Sequence, residues 1–491
     1  MELNDLTPAE RRVWNAFPRG EAVDFREQPG DSSVDGAGWG PDRTVRAEVL
    51  RALLLGAGPV EEGRVAGLKV KGAKIVGKLD LRYAVVDHPV RLRDCWFERD
   101  PVVYGAQLRA LVLRYSTLPG LTAGTLRVDL ALQLSYCRIT GPVRLQGAKI
   151  GGGLFLQGAV IGPGADEQTD EAALMLNHTD IGTDIIAVDA TVHGQFRLNG
   201  ATVGGQINLD RARLLAPGGT ALQAENVTVG TDLRAMRLEA RGRINLTGSR
   251  IPGQLNLAYA RLSNPGGVAL RASSCVIGEV WLRSCETLQG GVNLRRSQFD
   301  MLHMPPETWP EQIRIDGLTY RTLAPHLPPG ERLPALEREE SGYLPYAYEQ
   351  LAAAYRTAGD ETAARTVQLA KLRRHRRTLP RHARVWGVLQ DATVGYGFRP
   401  LRAAGWLLAL LLTGTIAYRV EQPRQLKAGE SPDFNPLFYT IDLMVPIVSF
   451  GQEQAFAPSG WYQWLSYVLI VTGWILATTT AAGVSRSLQR Q

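Results

Sequence analysis

Between Leu68 and about Leu302 the chain repeats a unit near eleven residues long: an apolar residue, another two positions on, a small one at plus five and an apolar one at plus seven. Leu79, Leu81, Ala84, Val86 is one example. Others are Val143, Leu145, Ala148, Ile150; Leu154, Leu156, Ala159, Ile161; Phe196, Leu198, Ala201, Val203; and Ile207, Leu209, Ala212, Leu214. A spacing of two belongs to an extended strand, and the small residue marks a corner where two walls come close. Each unit is too short to bury its own apolar side chains, so successive units must stack and share a core.

A longer repeat is superimposed. GQINLDRARLLAPGGTALQA from Gly205 returns as GQLNLAYARLSNPGGVALRA from Gly253, 48 positions later. Four units and one small insertion fill that block. If a coil of the stack holds two units, the insertions APGG and SNPG, with the acidic one from Gly162 to Glu171, fall on one corner every second coil and form a ridge.

These units resemble the pentapeptide-repeat family. That resemblance implies a right-handed β-helix, and the fold class expected is mainly β: a right-handed β-helix (solenoid) with an N-terminal helical cap, a helical hairpin linker and a C-terminal two-helix transmembrane domain with a re-entrant loop. The boundaries follow from composition: 1–62 cap, 63–302 β-helix, 303–340 Pro-rich linker, 341–380 hairpin and 381–491 membrane domain. In the cap, Thr44 is placed to cap a helix running VRAEVLRALLLG. In the hairpin, Pro345 opens one helix, Gly359 closes it and Pro380 stops the second.

Chemistry is sparse. There is no paired-carboxylate site, nucleophile motif, metal-ligand spacing or phosphate loop, so no catalytic residue, cofactor or metal is expected and the chain reads as a non-enzyme. Cys95, Cys137 and Cys275, and Cys285 after a one-residue slip, occupy the small-residue slot and replace Ala or Ser in a buried row. Disulfides are poor readings for them. His178 and His193 read as corner or surface histidines. The net charge of +7 could suggest nucleic acid, but from Arg365 to Arg402 ten Lys or Arg stand against the single acid Asp391 beside an apolar segment. Anionic lipid is the nearer partner, and no nucleic acid is expected.

That apolar region carries the functional expectation. Leu401 to Val420 (elbow 385–400 before it) and Trp461 to Gly483 read as two spans, and between them FNPLFYTIDLMVPIVSFG, Phe434 to Gly451, is too short and too broken by Pro436, Asp442 and Pro446 to be a third. TVGYG at Thr393 to Gly397 repeats the potassium-channel filter, yet the basic stretch before it cannot span, so it reads as part of an elbow with Trp386, Tyr396, Arg399 and Arg402 at the interface. Phe434 onward resembles the pore loop and inner helix of two-span, potassium-channel-like proteins. The resemblance places a pore helix containing Asp442, a filter at Ile447, Val448, Ser449, Phe450, Gly451 and Gln452, and an inner-helix hinge at Gly473. Ser449 and Gln452 depart from the family pattern.

The implied function is a tetrameric two-span ion channel with a β-helix sensor or scaffold. Its alternative is a membrane-anchored β-helix scaffold or protein-interaction module without a pore. Either places the chain in the cell (plasma or inner) membrane as a multi-pass protein, because the first thirty residues hold no apolar signal segment and the basic run precedes the first span. Both termini and the β-helix then face the cytoplasm, with lipid bilayer, further copies of the chain and a cytoplasmic protein as the expected partners.

Overall fold

The computed structural model describes residues 5–28, 30–58, 61–164, 172–283, 287–310, 312–380, 384, 400–427, 432–445 and 449–488. They form two compact units, Met1–Asp360 and Glu361–Gln491.

The first unit is a parallel β-solenoid of about 11 turns. Leu132 stacks on Leu154, and Ile185 on Ile207, each pair 22 residues apart, so a regular coil holds two eleven-residue units. Four two-residue strands make up such a coil, as in Arg127–Val128, Leu132–Gln133, Arg138–Ile139 and Val143–Arg144. All of them pair in parallel with the coils above and below. Val143, Ile150, Leu154 and Ile161 on the strands, and Leu145, Ala148, Leu156 and Ala159 in the turns between them, are all fully buried. Between some of these sides the chain turns through a left-handed residue, among them Tyr83, Asp94, Tyr115, Tyr136, His178, Asp189 and Asn226.

Two of the three insertions, APGG and SNPG, fall in one column two coils apart, as expected. Arg213–Gln223 and Arg261–Arg271 are long irregular strands separated by Glu239–Asn245, which lacks an insertion and makes its tight passage at Gly242. Val160–Ile161, which leads into the third insertion, stands two coils earlier in the same column. Residues 165–171 lie outside the described ones.

A second corner was not anticipated. Gly151, Gly182, Gly204 and Gly230 stack in successive coils so closely that a Cβ on Gly204 would stand 2.2 Å from the Gly182 carbonyl oxygen, and one on Gly230 1.9 Å from that of Gly204. Only hydrogen fits there.

Both ends of the ladder are covered. Ala22–Asp24 and Thr44–Arg46 pair with Leu68–Lys71 and Lys74–Val76, extending the sheets with N-terminal residues. Thr44 therefore lies in a strand, its hydroxyl donating to Gly40 O, and the following helix starts at Ala47. At the other end the coils run past Leu302. Gln298–His303 pairs with Thr319–Ala324, and Val292–Asn293 with Ile313–Arg314, so the Pro-rich stretch supplies a further coil before the helix Pro329–Leu336. The prolines sit between the strands and leave the ladder donors intact. The helix Pro345–Thr357 ends the first unit and Glu361–Thr378 opens the second.

The two expected spans are overturned. Among the described residues no helix is long and apolar enough to cross a membrane. The segments do fold as helices, Pro400–Val420 and Trp461–Leu488. The first carries Arg402 and Arg419 near its ends and Gly405, Thr413, Gly414 and Thr415 inside; the second carries Gln463, Ser466, Thr472 and Gly473 in its first half. The C-terminal part is accordingly a helical unit rather than a two-span domain with a re-entrant loop.

Candidate functional site

Within that unit the segment from Phe434 to Gln452 is built around a short helix, Pro436–Met444. Asn435 starts it, its side-chain oxygen accepting from the N–H groups of Leu437 (3.0 Å) and Phe438 (3.4 Å), and Pro436 occupies a first-turn position where no donor is missed. The helix is held between the two long ones by glycines. A Cβ on Gly414 would meet Thr440 Cγ2 at 2.4 Å, and one on Gly473 would meet Met444 O at 2.6 Å. Gly473, expected as a hinge, is thus a close-packing contact. The core here is Tyr418, Tyr439, Leu443, Met444, Phe456 and Leu469, with the Tyr418 and Tyr439 rings edge to face at 4.9 Å.

Asp442 is the organising polar group. It is 5 % exposed and accepts from the backbone N–H of Phe450 (2.6 Å), Gln452 (2.8 Å) and Glu453 (3.4 Å). A carboxylate with three backbone donors is well satisfied without a counter-cation. Gly451 makes the turn possible with φ of 77°, and Gln452 closes the loop from the far side, accepting from Asn435 N and donating to Asp433 O. A two-residue strand, Arg424–Gln425, pairs antiparallel with Phe456–Ala457 below it.

The structure therefore brings Asp442, Phe450, Gly451 and Gln452 together. Ser449 stands on the rim, its hydroxyl accepting from Gly451 N. Ile447 and Val448 lie outside the described residues, as do Trp386, Tyr396, Arg399 and the TVGYG stretch. Arg402 is exposed on the first long helix. Asn435 was missed as a structural residue, although Asn followed directly by Pro before an apolar run is a helix-start signal.

Around this core the two long helices expose large apolar side chains. Trp406, Leu412, Ile416, Trp461, Trp464 and Trp474 are each at least half exposed. Among the described residues no group of acidic, histidine or cysteine side chains is arranged to hold a metal ion. In the solenoid, Cys95, Cys137 and Cys275 are free and buried. Burial pushes the thiols of Cys95 and Cys137 up to about 12 and that of Cys275 to about 11, so none is a nucleophile. Cys285 lies outside the described residues. His178 is an exposed corner residue, while His193 is partly buried on a strand.

Set against known proteins, the chain matches no family model, no curated protein and no solved structure. The pentapeptide-repeat and potassium-channel resemblances rest on the residues quoted for them.

Proposed function

We propose that the chain is a non-enzymatic interaction scaffold, a rigid solenoid for protein partners that its C-terminal helical unit holds at the cytoplasmic face of the cell membrane. The exposed apolar side chains of that unit carry the reading. Soluble monomers rarely expose large contiguous apolar patches, and tryptophan is favoured where one end of a side chain is apolar and the other wet. Trp461 and Trp464 open the last helix at 80 % and 66 % exposure, as suits rings lying among lipid head groups. The basic run from Arg365 to Arg402 complements an anionic surface.

The solenoid supports the scaffold half of the reading. Stacked coils give a stiff body with long flat sides, the kind of surface on which repeat proteins dock partners. Four two-residue strands in 22 residues also favour a pentapeptide-like coil. Ion conduction is not part of this reading, because it required the two spans.

Flotation of the purified full chain with vesicles of phosphatidylcholine and phosphatidylglycerol tests the membrane half. The chain should float, and Trp461→Ser with Trp464→Ser should reduce flotation at least fivefold. A chain that stays at the bottom of the gradient while forming a discrete oligomer would show that these side chains form a contact between copies instead.

A further inference from the structure

The end of the solenoid holds a cavity that the scaffold reading does not use. It measures about 190 Å³ and lies between the last strand with the loop after it, Thr322 to Leu327, and the helix Pro345–Thr357. Its wall is apolar, formed by Leu323, Leu327, Leu351 and Ala354. Arg332, from the helix Pro329–Leu336, also lines it.

Arg332 is 2 % exposed. Its Nη1 donates to Met304 O and its Nη2 to Pro325 O at 2.6 Å, bonds that fix the guanidinium against the last coils. Two carbonyl dipoles do not neutralise a full charge, and a guanidinium has five N–H donors. No carboxylate among the described residues forms an ion pair with it, although Glu307 and Glu331 lie near enough to be felt. Burial accordingly presses its affinity for the proton down. At the mouth, exposed His326 meets the Tyr355 ring edge to face at 5.7 Å and the Asp360 carboxylate at 3.5 Å, while the Tyr355 hydroxyl is committed to Leu327 O. The buried cation is the one strong recognition group inside.

We propose that this cavity binds a small apolar monocarboxylic acid, its carboxylate on Arg332 and its alkyl tail against Leu323, Leu327, Leu351 and Ala354. The carboxylate supplies the missing countercharge and accepts two parallel N–H bonds, which suits a guanidinium better than any neutral group. The volume sets the size, since drug-sized ligands take roughly 300 to 1,000 Å³ and this cavity is smaller. A chain of about six carbons fits.

The experiment titrates the full chain with hexanoate, its neutral isostere hexanamide and hexylammonium, reading heat of binding and melting temperature. Hexanoate should bind with Kd below about 1 mM and raise the melting temperature, with hexanamide at least tenfold weaker and hexylammonium silent at about 10 mM. Ala354→Phe fills the cavity and leaves Arg332 in place, so it should abolish hexanoate binding while the solenoid's circular dichroism stays native. Arg332→Met, if folded by the same criterion, should bind acid and amide alike. The proposal is overturned if hexanoate fails to bind at about 10 mM, if acid and amide bind equally to the wild-type chain, or if Ala354→Phe binds hexanoate as the wild type does.

Discussion

Gly204→Ala is the substitution that most directly tests how the coils stack. Its backbone is not in the left-handed region, so the effect is steric alone: the new Cβ would stand 2.2 Å from Gly182 O. Ordinary contact needs about 3.4 Å or more, so the coils must part by roughly 1 Å at that corner. Three backbone bonds join the two coils there, Gly204 N to Ile181 O at 2.8 Å, Gly205 N to Thr183 O at 2.7 Å and Thr202 N to Thr179 O at 2.9 Å. Stretching three bonds worth about 1 kcal/mol each predicts a loss of about 3 kcal/mol, the upper end of the overpacking range. For a unit spanning Met1–Asp360, with an unfolding entropy of about 2.1 cal/mol/K per residue, that lowers the melting temperature by about 4 °C. Thermal unfolding followed by circular dichroism measures it. Gly219→Ala is the control, because its Cβ meets nothing nearer than Ala216 O at 3.5 Å. If Gly204→Ala melts with the wild type, the coils are not packed as described and the corner argument fails.

Asp442→Ala removes the acceptor shared by Phe450, Gln452 and Glu453, and at about 1 to 3 kcal/mol for each orphaned donor it should release the loop locally. Hydrogen exchange of residues 449–455 should speed up at least 30-fold, whereas unchanged protection would show that the loop is held by something else. For Glu10 (1 % exposed) burial works against the charge, yet bonds from the Arg46 guanidinium and from the backbone of Thr7 and Arg46 outweigh it and lower its pKa from 4.5 to about 2. A depressed carboxylate stabilises fully above the unfolded value, so about 3 kcal/mol should disappear as pH falls from about 4.5 through about 2, and Glu10→Gln should flatten that part of the pH–stability profile. Cys95 and Cys137, fully buried with thiols raised to about 12, should resist an alkylating reagent in the native chain and react only in denaturant. Labelling at the native rate of an exposed thiol would place them elsewhere.

The eleven-residue spacing was sufficient by itself to identify which side chains face inward along the solenoid, because alternation in a strand is local and a slip of one residue would turn every Leu and Ile outward. Leu145, Ala148, Ile150 and the buried cysteines followed from it. So did the shared column of the APGG and SNPG insertions, once two units were assigned to a coil. What depended on contacts between distant residues was not legible. The glycine column joins Gly182 to Gly204 and Gly230 across whole coils, although its trace, a glycine one place after a plus-seven apolar residue once in each of these coils, as in Ile181-Gly182, Val203-Gly204 and Val229-Gly230, stands in the chain.

At the C-terminal end the sequence marked Phe434 to Gln452 as a segment needing protein around it, and Asp442 as its unusual residue. It could not say what Asp442 binds, since Phe450, Gln452 and Glu453 are donors only once the loop folds back. Nor did hydropathy settle the flanking helices: an apolar run reads alike whether it meets lipid or another helix, and Gly414 and Gly473 proved to be the places where a third helix packs. Arg332 is the extreme case, an ordinary surface arginine by sequence that the last coil and the helix Pro345–Thr357 together enclose.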